Sequence, residues 1–239
     1  MILILCEETD MSARWAAAVL RLRGHRVKIV TGAELIAAPR WHHRIGQAGV
    51  DCEIELAASD RLCASETHGV LNRLPSLPAA WFRRYGGADR DYAVQEMHAF
   101  YLSWLYALPG PVLNPPTPQG LCGNWRHPSA WTALAAAAGL PVRPYLQTSD
   151  DDPNRPWQQD HAGERVHVVR NRVIGPPSLT EPLGDACLRL AAAAGSPLIG
   201  VDFAVGARGR WEIVGASVLP DLIGGGDVLA DALAEALAS

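Results

Sequence analysis

The carboxylate best placed to do chemistry is Asp202, which interrupts an otherwise apolar run, LIGVDFAV (198–205). A second apolar run, WEIVGASV (211–218), follows the turn-like GARG. The two runs predict a β-hairpin in which Asp202 lies on a largely buried strand. Because a buried carboxylate is costly without a partner, we expect it to meet a cation, a metal ion or several donors. The alternative is a structural role at a strand end.

Asn72 and Arg73 are candidate ligand contacts. They end the strand-like run GVLNRL (69–74), just before Pro75. Ligands of α/β sheets usually bind at this end of the strands. Arg73 is therefore a candidate contact for an anion, and an ordinary surface arginine is the alternative. Adjacent His42 and His43 point differently on any regular element, which argues against a shared metal ion.

Composition limits the classes of function. The chain has 239 residues, is 49% hydrophobic and carries a net charge of -4. Its scattered basic residues do not form the concentrated positive face that nucleic acids or anionic membranes require. No apolar run approaches the roughly twenty residues that span a bilayer, so we expect a cytoplasmic protein. The five widely spaced cysteines lack a C-x-x-C pair, which predicts core residues rather than disulfides or zinc ligands.

The surrounding elements predict an α/β fold. The first residues predict a β-α-β unit with parallel strands. It consists of an apolar strand at 1–6, a helix at 12–23 with Trp15, Val19 and Leu22 at helical spacing, and the strand HRVKIV. Its first turn lacks G-x-G-x-x-G, so NAD and FAD are not expected. The segment RWHHRIG (40–46) is predicted to be a loop, as is the polar stretch 148–163. Further elements are predicted as strands at 50–56 and 69–74, helices at 89–107, 127–138 and 180–194, hairpins at 165–175 and 198–222, and a final helix.

Several motifs follow one another in a recognisable order. GVLNRL and VLNPP end the first half, AGLPVRPY follows a helix, RVHVVRNRVIG comes next, and GVDFAV precedes a Pro-Asp-Leu. This order resembles the ATP-grasp superfamily, in the branch of RimK-like carboxylate-amine ligases. AGLPVRPY is similar to its "aGlPvP" junction, and RVHVV to its "R-v-x-V-V" strand. The resemblance covers most of the chain.

The resemblance implies roles for two residues and also reveals departures. Asp202 matches a magnesium ligand of the family, and Arg165 matches an arginine that contacts phosphate or substrate. Where the family carries "E-x-N-x-x-P", this chain has Gly215 and Ser217 before Pro220. Glu212 is three positions from the lost glutamate, and a strand reverses face at each odd step. No lysine lies near His127, where the family has one that contacts ATP, and 148–163 replaces a whole nucleotide-binding subdomain.

The fold expected from the resemblance is α/β. A Rossmann-like parallel-sheet pre-ATP-grasp domain would span residues 1–115. A smaller, reduced α+β ATP-grasp-like domain that lacks the nucleotide-binding subdomain would span 116–239. We expect a small ligand in the crevice between them, near a set of five residues: Asn72, Arg73, Asn114, Arg165 and Asp202.

The sequence supports two functions from different classes. The first is a degenerate ATP-grasp-like protein without cofactor, acting as a binding or partner subunit in a biosynthetic pathway. Its partner would be a small molecule, a peptide or an enzyme. The alternative is a compact ATP- and magnesium-dependent carboxylate-amine ligase, in which Asp202 holds magnesium and Arg165 and Arg73 clamp phosphate or carboxylate. A third possibility is another small-molecule enzyme with His127 or His167 as base. No catalytic residue is assigned, and the oligomeric state is open.

Overall fold

The computed structural model describes residues 1–47, 49–57, 60–84, 86–143, 145, 163–205 and 210–238. The chain forms two compact units, Met1–Asn124 with Asp221–Ser239, and Trp125–Pro220. The boundary predicted at residue 115 therefore differs from the observed division. The first unit extends to Asn124, and the last helix, which follows the second unit in sequence, also packs against the first unit.

Seventeen helices and strands are labelled here in chain order: β1 Ile2–Cys6, α1 Met11–Leu22, β2 Val27–Thr31, α2 Gly32–Ala37, β3 Arg40–Gly46, β4 Gly49–Glu55, β5 Arg61–Cys63, β6 Gly69–Asn72, α3 Gly87–Ala107, β7 Val112–Leu113, α4 Pro128–Ala137, β8 Glu164–Val169, β9 Arg172–Ile174, α5 Glu181–Ala194, β10 Leu198–Val205, β11 Trp211–Ser217 and α6 Gly226–Ala238. They form a mixed α/β structure with one parallel sheet, in the order β2-β1-β6-β7, and two antiparallel sheets, β3-β4-β5 and β11-β10-β8-β9. None of the described helices is long and apolar enough to cross a bilayer.

The first unit is built on the parallel sheet. β1 is apolar and buried along its whole length, as expected for a central strand covered on both faces. β1 pairs in parallel with β2 and with β6, which confirms the predicted β-α-β unit. The carboxylate of Asp10 accepts a hydrogen bond from the Ala13 amide and caps α1. The helix ends before Gly24, whose φ is +83°.

The buried face of α1 is not formed by the apolar residues whose spacing predicted the helix. Leu22 is 85% exposed, and Trp15 and Val19 are only half-buried. The residues of α1 that pack into the unit are small, apart from one leucine: Ser12, Ala13, Ala16, Ala17 and Leu20. Small side chains let the helix lie close to the sheet, whereas the larger apolar residues remain outside.

The segment RWHHRIG is a strand, β3, so its assignment as a loop was wrong. β3 pairs with β4 from Arg40 opposite Glu55 to Gly46 opposite Gly49. The two faces of β3 differ, but the sequence of β3 alone does not show it. On one face, basic residues lie opposite the acids of β4, and on the other face Trp41 packs against α3. The wet acidic face predicted for β4 is confirmed, since Cys52 and Ile54 are buried between the acidic positions.

Four of the five cysteines are buried and the fifth, Cys63, is half-buried; all five are free thiols. Burial raises the pKa of the Cys52 and Cys187 thiols to about 12. The prediction that most cysteines are core residues is confirmed.

In the second unit, α4 and α5 pack against the antiparallel sheet β11-β10-β8-β9. The predicted helices and both hairpins are confirmed, and the turn of the β8–β9 hairpin lies at Arg170 and Asn171. The core-facing residues of β10 alternate with Asp202 and Ala204. The predicted turn GARG, and the predicted polar loop apart from Gly163, lie outside the described residues.

Glycine is required at the start of β6. A Cβ atom at Gly69 would overlap the backbone carbonyl of Leu237 in α6. We expect Gly69→Ala to lower the free energy of unfolding by about 1–3 kcal/mol, because the backbone of one element must move. Chemical denaturation measures this loss. Gly46→Ala, where no atom lies within 4 Å of the added methyl, is the control and should change stability by less than about 0.5 kcal/mol. Equal losses in the two variants would show that the contact is not restrictive.

Candidate functional site

Asn72 lies at the carboxyl end of β6 and is 1% exposed. Its Nδ2 donates to the carbonyl oxygens of Asn114, at 2.9 Å, and Leu121, at 2.6 Å. The hydroxyl of Tyr101 in α3 donates to its Oδ1 at 2.9 Å. The amide thus uses both its donors and its acceptor inside the unit. It joins β6 to α3 and to two segments of the following chain.

Asn114 follows β7 directly and is fully buried. Its main chain meets the Asn72 side chain, so the structure brings two of the predicted ligand contacts together. The meeting follows from the parallel order β1-β6-β7, which places the carboxyl ends of β6 and β7 side by side.

Arg73 is buried and paired with a carboxylate of this chain. Its Nε donates to Oδ2 of Asp10 at 2.8 Å, and the side chain is 6% exposed. The same carboxylate caps α1 through Ala13. The sequence indicated an anion beside Arg73, but not that this anion is Asp10. The signal was available, because aspartate directly before an apolar helical pattern is typical of an N-cap.

Asp221, from the Pro-Asp-Leu of the predicted metal hairpin, belongs to the first unit. Its Oδ1 accepts from the Ser12 hydroxyl at 2.9 Å and from the Ile223 amide at 3.0 Å. Ser12 in turn accepts from the Leu222 amide. These bonds fix the segment that leads into α6 against the start of α1.

In the second unit, Asp202 meets the guanidinium group of Arg165. The two residues are opposite one another on β10 and β8, and Nε of Arg165 lies 2.5 Å from Oδ1 of Asp202. Their side chains are 35% and 21% exposed. A cation was one of the three kinds of partner expected for Asp202, and the structure shows that this cation is the Arg165 side chain.

A second ion pair lies on the same face of the sheet. Arg143 Nε donates to Glu212 Oε2 at 2.6 Å, and Glu212 registers with Ala204, two residues beyond Asp202. The expectation that the odd step places Glu212 on the opposite face from position 215 is therefore wrong, because the register of β10 and β11 shifts between Asp202 and Phe203. The sequence indicated neither Arg143 as a functional residue nor its pairing with Glu212. The two residues are 69 positions apart, and Arg143 lies inside a proline-rich junction. No local sequence pattern therefore connects them.

On the other side of Asp202, β11 presents Gly215 opposite it and Ser217 opposite Gly200. A Cβ on Gly215 would lie 4.0 Å from Oδ2 of Asp202, so a side chain at this position would start beside the carboxylate. Arg165, Gly215 and Ser217 do not supply the set of oxygen ligands that magnesium needs. Within the described ranges, no three His, Cys, Asp or Glu side chains are grouped so that they could hold a metal ion.

The two histidines considered as bases have different environments. Nδ1 of His127 accepts from the Ser129 amide at 3.3 Å and caps α4. His167 is 2% exposed, on β8 opposite Gly200 and Ile174. Of the five predicted site residues, Asn72, Arg73 and Asn114 belong to the first unit, and Arg165 and Asp202 to the second.

No protein-family model matches the sequence, and no curated protein sequence does either. Solved structures do match in fold. The macrocyclase MdnC from Microcystis aeruginosa MRC, bound with precursor peptide MdnA, is 12% identical with a TM-score of 0.73 over 100% of both chains. The macrocyclase MdnB of the same organism is 13% identical with a TM-score of 0.67, over 100% of this chain and 99% of that one.

A third match is a RiPP-associated ATP-grasp ligase from Chryseobacterium gregarium, in complex with ADP and a leader and core peptide. It is 10% identical with a TM-score of 0.68, over 99% of this chain and 96% of that one. The chain therefore has the fold of ATP-grasp ligases, and the resemblance predicted from the sequence is confirmed for the fold.

The bonds of Asn72 make a prediction about stability. Asn72→Leu leaves two buried carbonyl oxygens and the Tyr101 hydroxyl without their partner. We expect the free energy of unfolding, measured in urea, to fall by about 2–4 kcal/mol. The matched control is Asn171→Leu, in the exposed β8–β9 turn, which should cost less than about 0.5 kcal/mol. A similarly small loss at Asn72 would contradict its structural role.

Proposed function

We propose that this chain is a binding or partner subunit of a peptide-modifying biosynthetic pathway, with an ATP-grasp fold that does not carry out ATP chemistry itself. The ion pair between Arg165 and Asp202 carries the proposal. A guanidinium group at 2.5 Å from the carboxylate repels a second cation, so Asp202 is a poor magnesium ligand in this arrangement.

The residues around the pair support the same proposal. ATP brings several negative charges that kinases and ligases neutralise with metal ions, lysines and backbone donors. Here the position opposite Asp202 has no side chain, and the Ser217 hydroxyl already accepts a hydrogen bond from the Leu219 amide. The whole chain has one lysine, Lys28, which pairs with Asp60 in the first unit. It is therefore unsuited to replace the missing lysines.

The class of partner is proposed from the structural neighbours. MdnC was solved with a precursor peptide and the Chryseobacterium ligase with a leader and core peptide. Two proteins of this fold were solved with a peptide. On our proposal this chain has the same fold without the nucleotide chemistry, and is suited to binding a peptide or the enzyme that modifies it.

We expect magnesium and ATP to leave the melting temperature unchanged. A ligand at 100 times its Kd stabilises the folded state by about 2.7 kcal/mol, which for a chain of this size corresponds to about 5 °C or more. With about 1 mM Mg-ATP we expect a shift below about 1 °C in differential scanning fluorimetry.

Restoring the missing oxygen ligands provides a control. In the variant Gly215→Glu/Ser217→Asn, two oxygen-bearing side chains stand beside Asp202, and calorimetry should detect magnesium at least about tenfold tighter than in the native chain. Micromolar Mg-ATP binding by the native chain would disprove the proposal.

The second candidate is the compact ligase, which would join a carboxylate to an amine through an acyl phosphate. Matches that cover 96–97% of two solved ATP-grasp ligase chains favour it. This function requires Arg165 to release Asp202 in the active state. Asp202→Asn should then abolish amide formation in a coupled ADP-release assay. Turnover that persists unchanged in this variant would exclude the role of Asp202. Asp227→Asn is the matched control, because the Asp227 side chain in α6 is exposed.

A further inference from the structure

Helix α1 has two apolar faces. Opposite its buried face lie Met11, Trp15, Ala18 and Leu22, which we call the outer stripe. Their spacing of four, three and four residues places them on one line along the helix. The stripe covers three turns, about 16 Å at 1.5 Å per residue.

The outer stripe is open to solvent. Met11 is 61% exposed and Leu22 85%, Ala18 is exposed and Trp15 is half-buried. A single exposed apolar residue is ordinary on a protein surface, whereas an aligned row marks an interaction surface. The buried face and the Asp10 cap already hold α1 in place. The outer stripe therefore has no evident task in the stability of the first unit.

Positive charge borders one side of the outer stripe. Arg14 and Arg21 are seven residues apart, and their guanidinium groups donate to the backbone carbonyls of Glu8, at 2.8 Å, and Val27, at 3.0 Å. Among the residues that the structure describes, neither is paired with a carboxylate. On the side that faces α6, by contrast, Arg23 pairs with Asp227 and Asp231. The charge beside the outer stripe is therefore uncompensated.

We propose that the outer stripe is a docking surface for an amphipathic helix of another protein. The partner helix would have about three turns, with apolar residues at the a and d positions of a heptad repeat to cover Met11, Trp15 and Leu22. It would carry acidic residues on the flank that meets Arg14 and Arg21. This surface goes beyond the proposed function, because it lies on the first unit and does not depend on the state of Asp202.

A second copy of this chain fits the surface poorly. The sequence of α1, MSARWAAAVLRL, contains no acidic residue. Pairing of α1 with another α1, in either direction, would therefore give Arg14 and Arg21 no carboxylate on the facing helix. The uncompensated charge selects a foreign, acidic helix.

The test uses the full chain and a labelled synthetic helix of three heptads, with leucine at a and d and glutamate at e and g. A matched peptide has lysine at e and g. By fluorescence anisotropy, at concentrations where the peptides are monomeric, we expect the acidic peptide to bind at least about tenfold more tightly than the basic one. The preference should invert in the variant Arg14→Glu/Arg21→Glu.

Variants of the stripe locate the binding. Leu22→Ser and Met11→Ser should each weaken binding of the acidic peptide about tenfold, and circular dichroism checks that they fold. Ile45→Ser is the control, since Ile45 is 68% exposed on the β3–β4 hairpin, away from α1 in sequence and sheet. It should leave the affinity unchanged.

Any one of three peptide-binding results would overturn the proposal: equal affinity for the two peptides, no binding of the acidic peptide, or binding that survives Leu22→Ser and Met11→Ser. Sedimentation that shows self-association of the native chain, abolished by Leu22→Ser, would also overturn it in favour of a second copy. None of these results bears on Mg-ATP binding, so this failure is distinct from a failure of the proposed function.

Discussion

The buried amide of Asn72 is the interaction on which the first unit depends. One side chain at the end of β6 satisfies carbonyl groups at two later segments and is itself held by Tyr101. Parallel strands end at a common edge, where the chain must leave the sheet with unpaired backbone groups. An amide with two donors and an acceptor satisfies several such groups at once. The edge is thereby fixed without regular secondary structure.

A comparable constraint acts in the second unit through charge. Asp202 on β10 and Arg165 on β8 are held opposite one another by the strand register, and Arg143 and Glu212 form a second pair on the same face. Because the strand register decides which residues are opposite, the Asp202–Arg165 pair follows from the formation of the sheet. Each of these two cations is in direct contact with a carboxylate, so the two pairs together add little net charge to the face.

Helix α1 shows how an apolar pattern can mislead when two faces compete. Trp15, Val19 and Leu22 have the spacing of a core-facing stripe, yet Ala16, Ala17 and Leu20 occupy the core. The face of α1 that packs against the sheet is the one with small side chains, because these let the helix backbone lie near the strands. A larger apolar face left outside is then available for another molecule, which connects helix packing directly to recognition.

The local order of elements was determined by the sequence itself. The β-α-β start, the helices that end at Gly24 and Gly139 and the two hairpins all rest on apolar periodicity, caps and turn residues, which act over a few neighbouring positions. The ATP-grasp resemblance rests instead on the order of several short motifs along the chain. The strand β3 was missed because its alternation of charged and apolar residues is visible only once β4 and α3 are beside it.

Tertiary structure alone decided which polar groups meet. Asp10 faces Arg73 across 63 residues and Glu212 faces Arg143 across 69, and α6 returns to the first unit after the whole second unit has been completed. The sequence named Asn72, Arg73, Asn114, Arg165 and Asp202 as candidate ligand or metal contacts, but not which of them meet one another, nor that Asp10 meets Arg73. Burial makes a partner necessary, and the choice of that partner depends on strand order and register, which are set by packing over the whole chain.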